Sequence, residues 1–136
     1  LEVMNLRSNI DRTDKFNLYK TSLILWNSEI KKTNVSNYMS ILDVTPTLFN
    51  LFGIEYDSRL LIGKDALSNT EGLVILSDYS WINKNGKYDS ATDKFTCTSK
   101  CEVNSEYVEN INKYVKNAFV ASSLVQENDY YKYLKK

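Results

Sequence analysis

At 136 residues, with 43% hydrophobic and 25% charged positions, the chain has the content of one folded domain and not of a disordered segment. Its 17 basic residues balance 17 acidic ones, which excludes the net electrostatic footprint of a nucleic-acid binder or of a protein held on an anionic membrane by overall charge. There are 0 histidines, and with them go Ser-His-Asp and Cys-His constellations and every histidine-ligated metal site.

The chain opens on Leu1-Glu2-Val3-Met4-Asn5, which has neither the charged start nor the apolar stretch of a signal peptide. No apolar run approaches the length that spans a bilayer. With Met4 preceded by three residues, the expectation is an excised fragment, residues 1–136 forming a single domain. Residues 1–17 are polar and mixed, and read as an irregular or partly helical lead-in. The run Leu23-Ile24-Leu25-Trp26 suits a strand buried on both faces. A polar connection leads on to Asn37. The sequon Asn34-Val35-Ser36 within it arises often by chance and carries no weight.

Residues 40–54 form the most sharply punctuated stretch. Asp43 and Thr45 are both candidate helix caps, since either side-chain oxygen can accept from the free N–H groups of a first turn. Pro46, 1 of 1 in the chain, falls within that turn, where its missing N–H goes unnoticed. Leu48, Leu51 and Phe52 lie at i, i+3, i+4 and predict a buried face. Gly53 stops the helix where a left-handed backbone is wanted, with Ile54 folding back on the last turn.

Residues 55–59 make a charged turn, and Leu60-Leu61-Ile62 is a short apolar patch. Gly63-Lys64-Asp65 lacks the further glycines and the hydroxyl residue of a phosphate loop; it reads as a turn in which Asp65 caps the next few residues. Leu73-Val74-Ile75-Leu76 is a second interior strand. Asn85-Gly86 signals a tight hairpin, with short strands at 87–89 and 94–97, and Trp81 and Tyr88 as cross-strand partners. Asp78, Tyr79 and Trp81 are the candidates for lining a binding cleft, although aromatics on hairpins more often pack. Cys97 and Cys101 are awkwardly spaced for a structural zinc site, which would also want two further ligands that a chain with 2 cysteines and 0 histidines does not offer. A bridge between them and a pair of free thiols both remain open, the bridge being favoured in an extracellular protein. Val108, Ile111, Val115, Ala118 or Phe119, Ser122 and Val125 then form the stripe of an amphipathic helix, capped by Asn104 or Ser105 with Glu106 near its positive end. Asn128-Asp129 interrupts it, and the basic, aromatic tail beyond could touch an anionic surface, though a terminal turn docking its tyrosines is the commoner arrangement.

Four segments, in order, resemble the sulfatase-like enzymes of the alkaline phosphatase superfamily, and most of all the lipoteichoic acid synthase branch, membrane-anchored phosphoglycerol transferases. Asp43-Val44-Thr45-Pro46-Thr47-Leu48-Phe49-Asn50-Leu51-Phe52-Gly53-Ile54 is similar to that family's D-I-x-P-T-L-x-x-L-x-G-I segment. Residues 19–27 resemble the strand before it, with Ser22 where many members have proline. Residues 61–67 resemble its G-[KR]-D-L turn, and residues 72–78 the strand after. The resemblance covers residues 16–90. It implies an α/β fold, a partial sulfatase-like sheet with covering helices and an antiparallel edge hairpin, of which this chain is the C-terminal part. It also implies phosphoryl-group transfer through a covalent intermediate at a divalent metal such as manganese, on the extracellular face of a cell membrane. The asparagine, lysine and tyrosine bias suggests a low-GC Gram-positive source.

The family's nucleophile and metal ligands lie upstream of the matched residues, and Asp11 and Asp14 do not reproduce its Asp-His pair. No catalytic, metal-binding or cofactor-binding residue is therefore assigned in this chain. Its expected partner is the upstream catalytic portion of the same polypeptide, with self-association through an exposed sheet edge. The competing expectations are an independent small α/β binding or interaction module, and a piece of a sulfate or phosphate ester hydrolase.

Overall fold

Local chemistry sets the helix boundaries in a computed structural model that describes residues 14–29, 31–98 and 101–134. The chain divides into two units, Leu1–Asn34 and Val35–Lys136. In the first, Asp14 caps the short helix α1 (Lys15–Leu18), its carboxylate accepting from the N–H groups of Phe16 and Asn17. Most of the lead-in expected at 1–17 lies outside the described residues.

The apolar run at 23–26 is not a strand. It has no regular structure, and Ile24 and Trp26 are 85% and 86% exposed. A strand buried on both faces needs ladder partners and covering layers, and among the described residues no strand pairs with this one. The sheet expected to contain residues 23–26 and 73–76 together is therefore not formed.

In the second unit, a single turn of 3-10 helix (Ile41–Asp43) leads into α2 (Val44–Leu51). The cap is neither Asp43 alone nor Thr45. Ser40 stands at the N-terminus and Asp43 three residues on returns the bond, a reciprocal box in which Asp43 Oδ2 accepts from Ser40 N at 2.7 Å. Pro46 does sit in the first turn of α2. The far end matches expectation: Gly53 has φ +65°, Ile54 N donates to Phe49 O at 2.8 Å and Gly53 N to Asn50 O at 3.2 Å. These are the two bonds of a Schellman turn. The expected buried face is corrected. Pro46 and Thr47 face inward, whereas Leu51 is exposed and Phe52 is 66% exposed.

Four strands come next as an antiparallel meander in the order β1 (Val74–Ile75), β2 (Trp81–Ile82), β3 (Gly86–Asp89) and β4 (Lys94–Cys97). What the sequence suggested as an edge hairpin is the sheet itself. The β1–β2 turn holds Tyr79 at φ +66°, a left-handed conformation that a bulky residue adopts only with support. The support is Phe119, whose ring centroid lies 4.5 Å away. Asn85-Gly86 does mark the β2–β3 turn, by another mechanism than a left-handed glycine. The Asn83 carboxamide oxygen accepts from both Asn85 N and Gly86 N. Gly86 is needed for space, since a Cβ there would stand 2.4 Å from Phe95 Cζ.

Helix α3 (Ser105–Glu127) is capped by the Asn104 side chain, which accepts from Tyr107 N at 2.9 Å. Its inward stripe is the predicted one, with Val115 fully buried and Val108, Ile111, Ala118, Phe119, Ser122 and Val125 partly so. Asp129, at φ +48°, ends it in a second Schellman turn, Tyr130 N donating to Val125 O and Asp129 N to Gln126 O. Helix α4 (Tyr131–Leu134) comes after it. The tail tyrosines do not dock: Tyr130, Tyr131 and Tyr133 are all exposed, beyond the Schellman turn that ends α3. No helix among the described residues is long and apolar enough to cross a membrane.

The core centres on Trp81, 0% exposed. Its indole packs against the Tyr88 and Phe95 rings at 5.8 and 5.5 Å, and Trp81 pairs with Tyr88 in the β2–β3 register as predicted. Its Nε1–H donates to Asn112 Oδ1 on α3 at 2.7 Å, joining sheet to helix. The cysteines are bridged, Cys97 to Cys101, at the exit of β4 toward α3.

Trp81→Ala is expected to lower the unfolding free energy by roughly 3–5 kcal/mol, read as a shift in the urea midpoint. Asn112→Ala, which leaves the buried indole N–H unpaired, should remove about 1–3 kcal/mol.

Candidate functional site

Two of the four family-like segments meet around Asp43. Its carboxylate is buried, at 7% exposure. Oδ1 accepts from Lys64 N at 2.7 Å, and Oδ2 from Ser40 N and Ser40 Oγ. Thr47, one turn on, donates its hydroxyl to Asp43 O at 2.5 Å and accepts from Ala66 N at 2.9 Å. Asn50, a further turn along, donates to Asp65 Oδ2 at 3.0 Å. Three side chains on one side of α2 thus bind successive parts of the 64–66 loop. Gly63 permits the approach: a Cβ there would lie 1.9 Å from Leu42 O, so any side chain would push the loop off the helix.

Asp65 behaves as the sequence predicted. Its Oδ1 accepts from Leu67 N at 2.9 Å, and its carbonyl accepts from Ser68 N and Ser68 Oγ. The third family-like segment joins through Asn37, which donates to Thr70 O and accepts from Gly72 N. Between these strips lies a hollow of about 20 Å³, room for about one water molecule. Lys64 crosses its rim, with the ammonium 5.9 Å from the Tyr114 ring centroid on α3, a cation–π contact. The remaining family-like segment, 19–27, belongs to the Leu1–Asn34 unit.

Chemically, this is a clamp. Both Asp43 oxygens and both Asp65 oxygens carry hydrogen bonds from the protein. The Thr47 hydroxyl donates and accepts, so the hydrogen bonds that these three side chains make hold the loop on the helix. These side chains do not fit a divalent ion. Among the described residues no three cysteines, aspartates or glutamates come together, and the donor set a hard cation wants is already engaged. No step through a metal is derived for this chain.

The other candidates separate. Trp81 is wholly buried and lines no cleft. Tyr79 packs on Phe119, and Asp78 Oδ1 accepts from Ser80 N. Sequence reasoning missed Ser40, although Ser-x-x-Asp ahead of an apolar run is the spacing of a capping box. It missed Thr47, Asn50 and Asn83 too; only the Asn83-x-Asn85 turn left a local trace, since the partners of the other two are distant in sequence.

Off the clamp, the fold moves the Asp57 carboxyl and the Tyr88 phenol from their ordinary values. Asp57 is lowered from 3.8 to about 2 by the Arg59 side chain, which grips it at 2.7 Å on the exposed turn after α2. The Tyr88 phenol is pushed up by its hydrogen bond to Asp93, with burial adding to it. Both are accounted for by pairing partners and neither lines the hollow.

No family model, no curated protein and no solved structure matches the chain.

Asp43→Ala strands the N–H groups of Ser40 and Lys64 and is expected to destabilise the fold by about 2–3 kcal/mol in chemical denaturation. The exposed Thr45→Ala should stay within about 0.5 kcal/mol. Because the fold favours ionised Asp57, its contribution is present above the ordinary carboxylate value of 3.8 and is lost as pH falls through about 2. Carboxyl NMR should show that low midpoint, and Arg59→Gln should bring it back toward the ordinary range.

Proposed function

We propose that this chain is the C-terminal, structural part of a lipoteichoic acid synthase-like phosphoglycerol transferase of the alkaline phosphatase superfamily, working on the outer face of a bacterial cell membrane in cell-envelope polymer synthesis. The supporting observation is the clamp. Residues 43–54 and 61–67, which resemble two separate motifs of that family, are held as one piece by Asp43–Lys64, Thr47–Ala66 and Asn50–Asp65 hydrogen bonds.

On this reading the Asp-x-Thr-Pro-Thr and Gly-Lys-Asp residues position backbone and take no part in bond making. The nucleophile, the divalent ion (manganese or similar) and its ligands belong to the upstream catalytic portion of the same polypeptide. That portion would also cover the apolar 23–26 run, whose exposure leaves the isolated chain prone to self-associate.

The test compares two proteins on phosphatidylglycerol vesicles with manganese. The full-length polypeptide is expected to release diacylglycerol, and the 136-residue chain alone to release none. Cleavage of simple phosphate or sulfate esters by the full-length protein, without diacylglycerol release, would replace the transferase by a hydrolase. Turnover by the 136-residue chain alone, or no activity in the full-length protein, would overturn the reading.

A further inference from the structure

The bridge from Cys97 to Cys101 lies away from the clamp, and the proposed function gives it no part. Cys97 is the last residue of β4, where it pairs with Gly86. Cys101 comes shortly before Asn104, the cap of α3. The bond therefore links the end of the sheet to the entrance of the helix.

Both sides of the bridge are tied, independently of it, to one turn. On the β4 side, Thr98 N donates to Asn85 O at 3.2 Å and Thr98 Oγ1 to Lys84 O at 3.0 Å. On the α3 side, the Tyr107 hydroxyl accepts from Asn83 Nδ2 at 2.9 Å and from Asn85 Nδ2 at 2.8 Å. Tyr107 lies in the first turn of that helix, which the Asn104 side chain holds. The β2–β3 turn thus joins sheet to helix by hydrogen bonds, and the disulfide repeats a connection that the fold makes without it.

That redundancy has a thermodynamic consequence. By linkage, a fold protects a cross-link from reduction only as far as the cross-link stabilises the fold. The two cysteines are four positions apart, and a loop so short restrains the unfolded chain little. Access is also open, because Cys97 is exposed between exposed Thr96 and Thr98, so a thiolate can reach its sulfur without unfolding.

We infer that Cys97–Cys101 is a thiol-exchange site, opened and closed by low-molecular-weight thiols and disulfides while the domain stays folded. A small thiolate attacks Cys97 Sγ, the bridge breaks, and Cys101 leaves as a thiolate. A second small thiolate attacks the sulfur of the first, Cys97 leaves in its turn, and the two small thiols depart as one disulfide. Two electrons pass to the cysteines, which take up protons from water. The reverse steps, with the small disulfide as oxidant, restore the bridge. None of this depends on transferase activity.

The 136-residue chain is incubated in millimolar reduced glutathione without denaturant, and free thiols are counted by maleimide alkylation and intact mass. Both cysteines are expected to become free, at a rate within about tenfold of that for the urea-unfolded chain. Far-ultraviolet circular dichroism should keep its helical signal throughout, and oxidised glutathione should close the bridge again. Cys97→Ser combined with Cys101→Ser should give the same spectrum. A bridge that glutathione opens only when urea is present would overturn the inference. So would loss of the helical signal on reduction or in the double serine variant, because the bond would then be holding the fold.

Discussion

The hydrogen bond from the Trp81 indole to Asn112 is the constraint on which the Val35–Lys136 unit depends. A four-stranded meander with two-residue strands at one edge has few ladder bonds of its own and one face to cover. Trp81 supplies that cover from within the sheet, stacking with Tyr88 from β3 and Phe95 from β4. Its one polar atom then has to be satisfied in a dry place. Asn112 does this from the inward side of α3, so the same residue that fills the core fixes where the helix sits. Asn83 repeats the device at the other end, donating to the Tyr107 hydroxyl at 2.9 Å while shaping the β2–β3 turn.

The core is small and unusually polar. The buried apolar side chains among the described residues are Pro46, Ala66, Trp81 and Val115, beside buried Asp43, Thr47, Ser80 and Asn83. Every buried side-chain polar atom described has a partner, the condition under which such a core is tolerated. Specificity here comes from hydrogen bonds that accept one geometry, while much of the apolar surface that would normally provide bulk stability faces outward. Ile41, Phe52, Ile54 and Leu67 in this unit, and residues 23–26 in the other, are all exposed. Under the proposed role as one part of a larger enzyme, other structure would cover these side chains.

Within the clamp, the division of labour is also clear. The polar residues of the two segments are engaged by backbone amides and by one another. Asp43 and Asp65 order a loop against a helix, and Thr47 links the two by giving and taking one hydrogen bond. Each of these side chains is held in one geometry by the hydrogen bonds it makes to the helix and the loop.

Residue periodicity and short-range chemistry alone determined the α3 stripe, a cap at Asn104 or Ser105, the Gly53 stop, the Trp81–Tyr88 pairing and the location of the β2–β3 turn. Each is decided by side chains within a few positions of one another or by a repeat matching one helix or strand period. Tertiary structure decided the rest. Whether the 23–26 run becomes a strand depends on partners it cannot supply itself. Which side of α2 is buried was settled by Thr47 bonding to the distant 63–66 loop, and not by where the leucines fall. Gly86 looked like a left-handed turn residue and is instead a gap left for Phe95. The tyrosines of the tail looked ready to dock, and they stand exposed beyond the turn at Asp129. In each case the deciding contact joins residues that local sequence cannot bring together, because only the folded chain sets their distance.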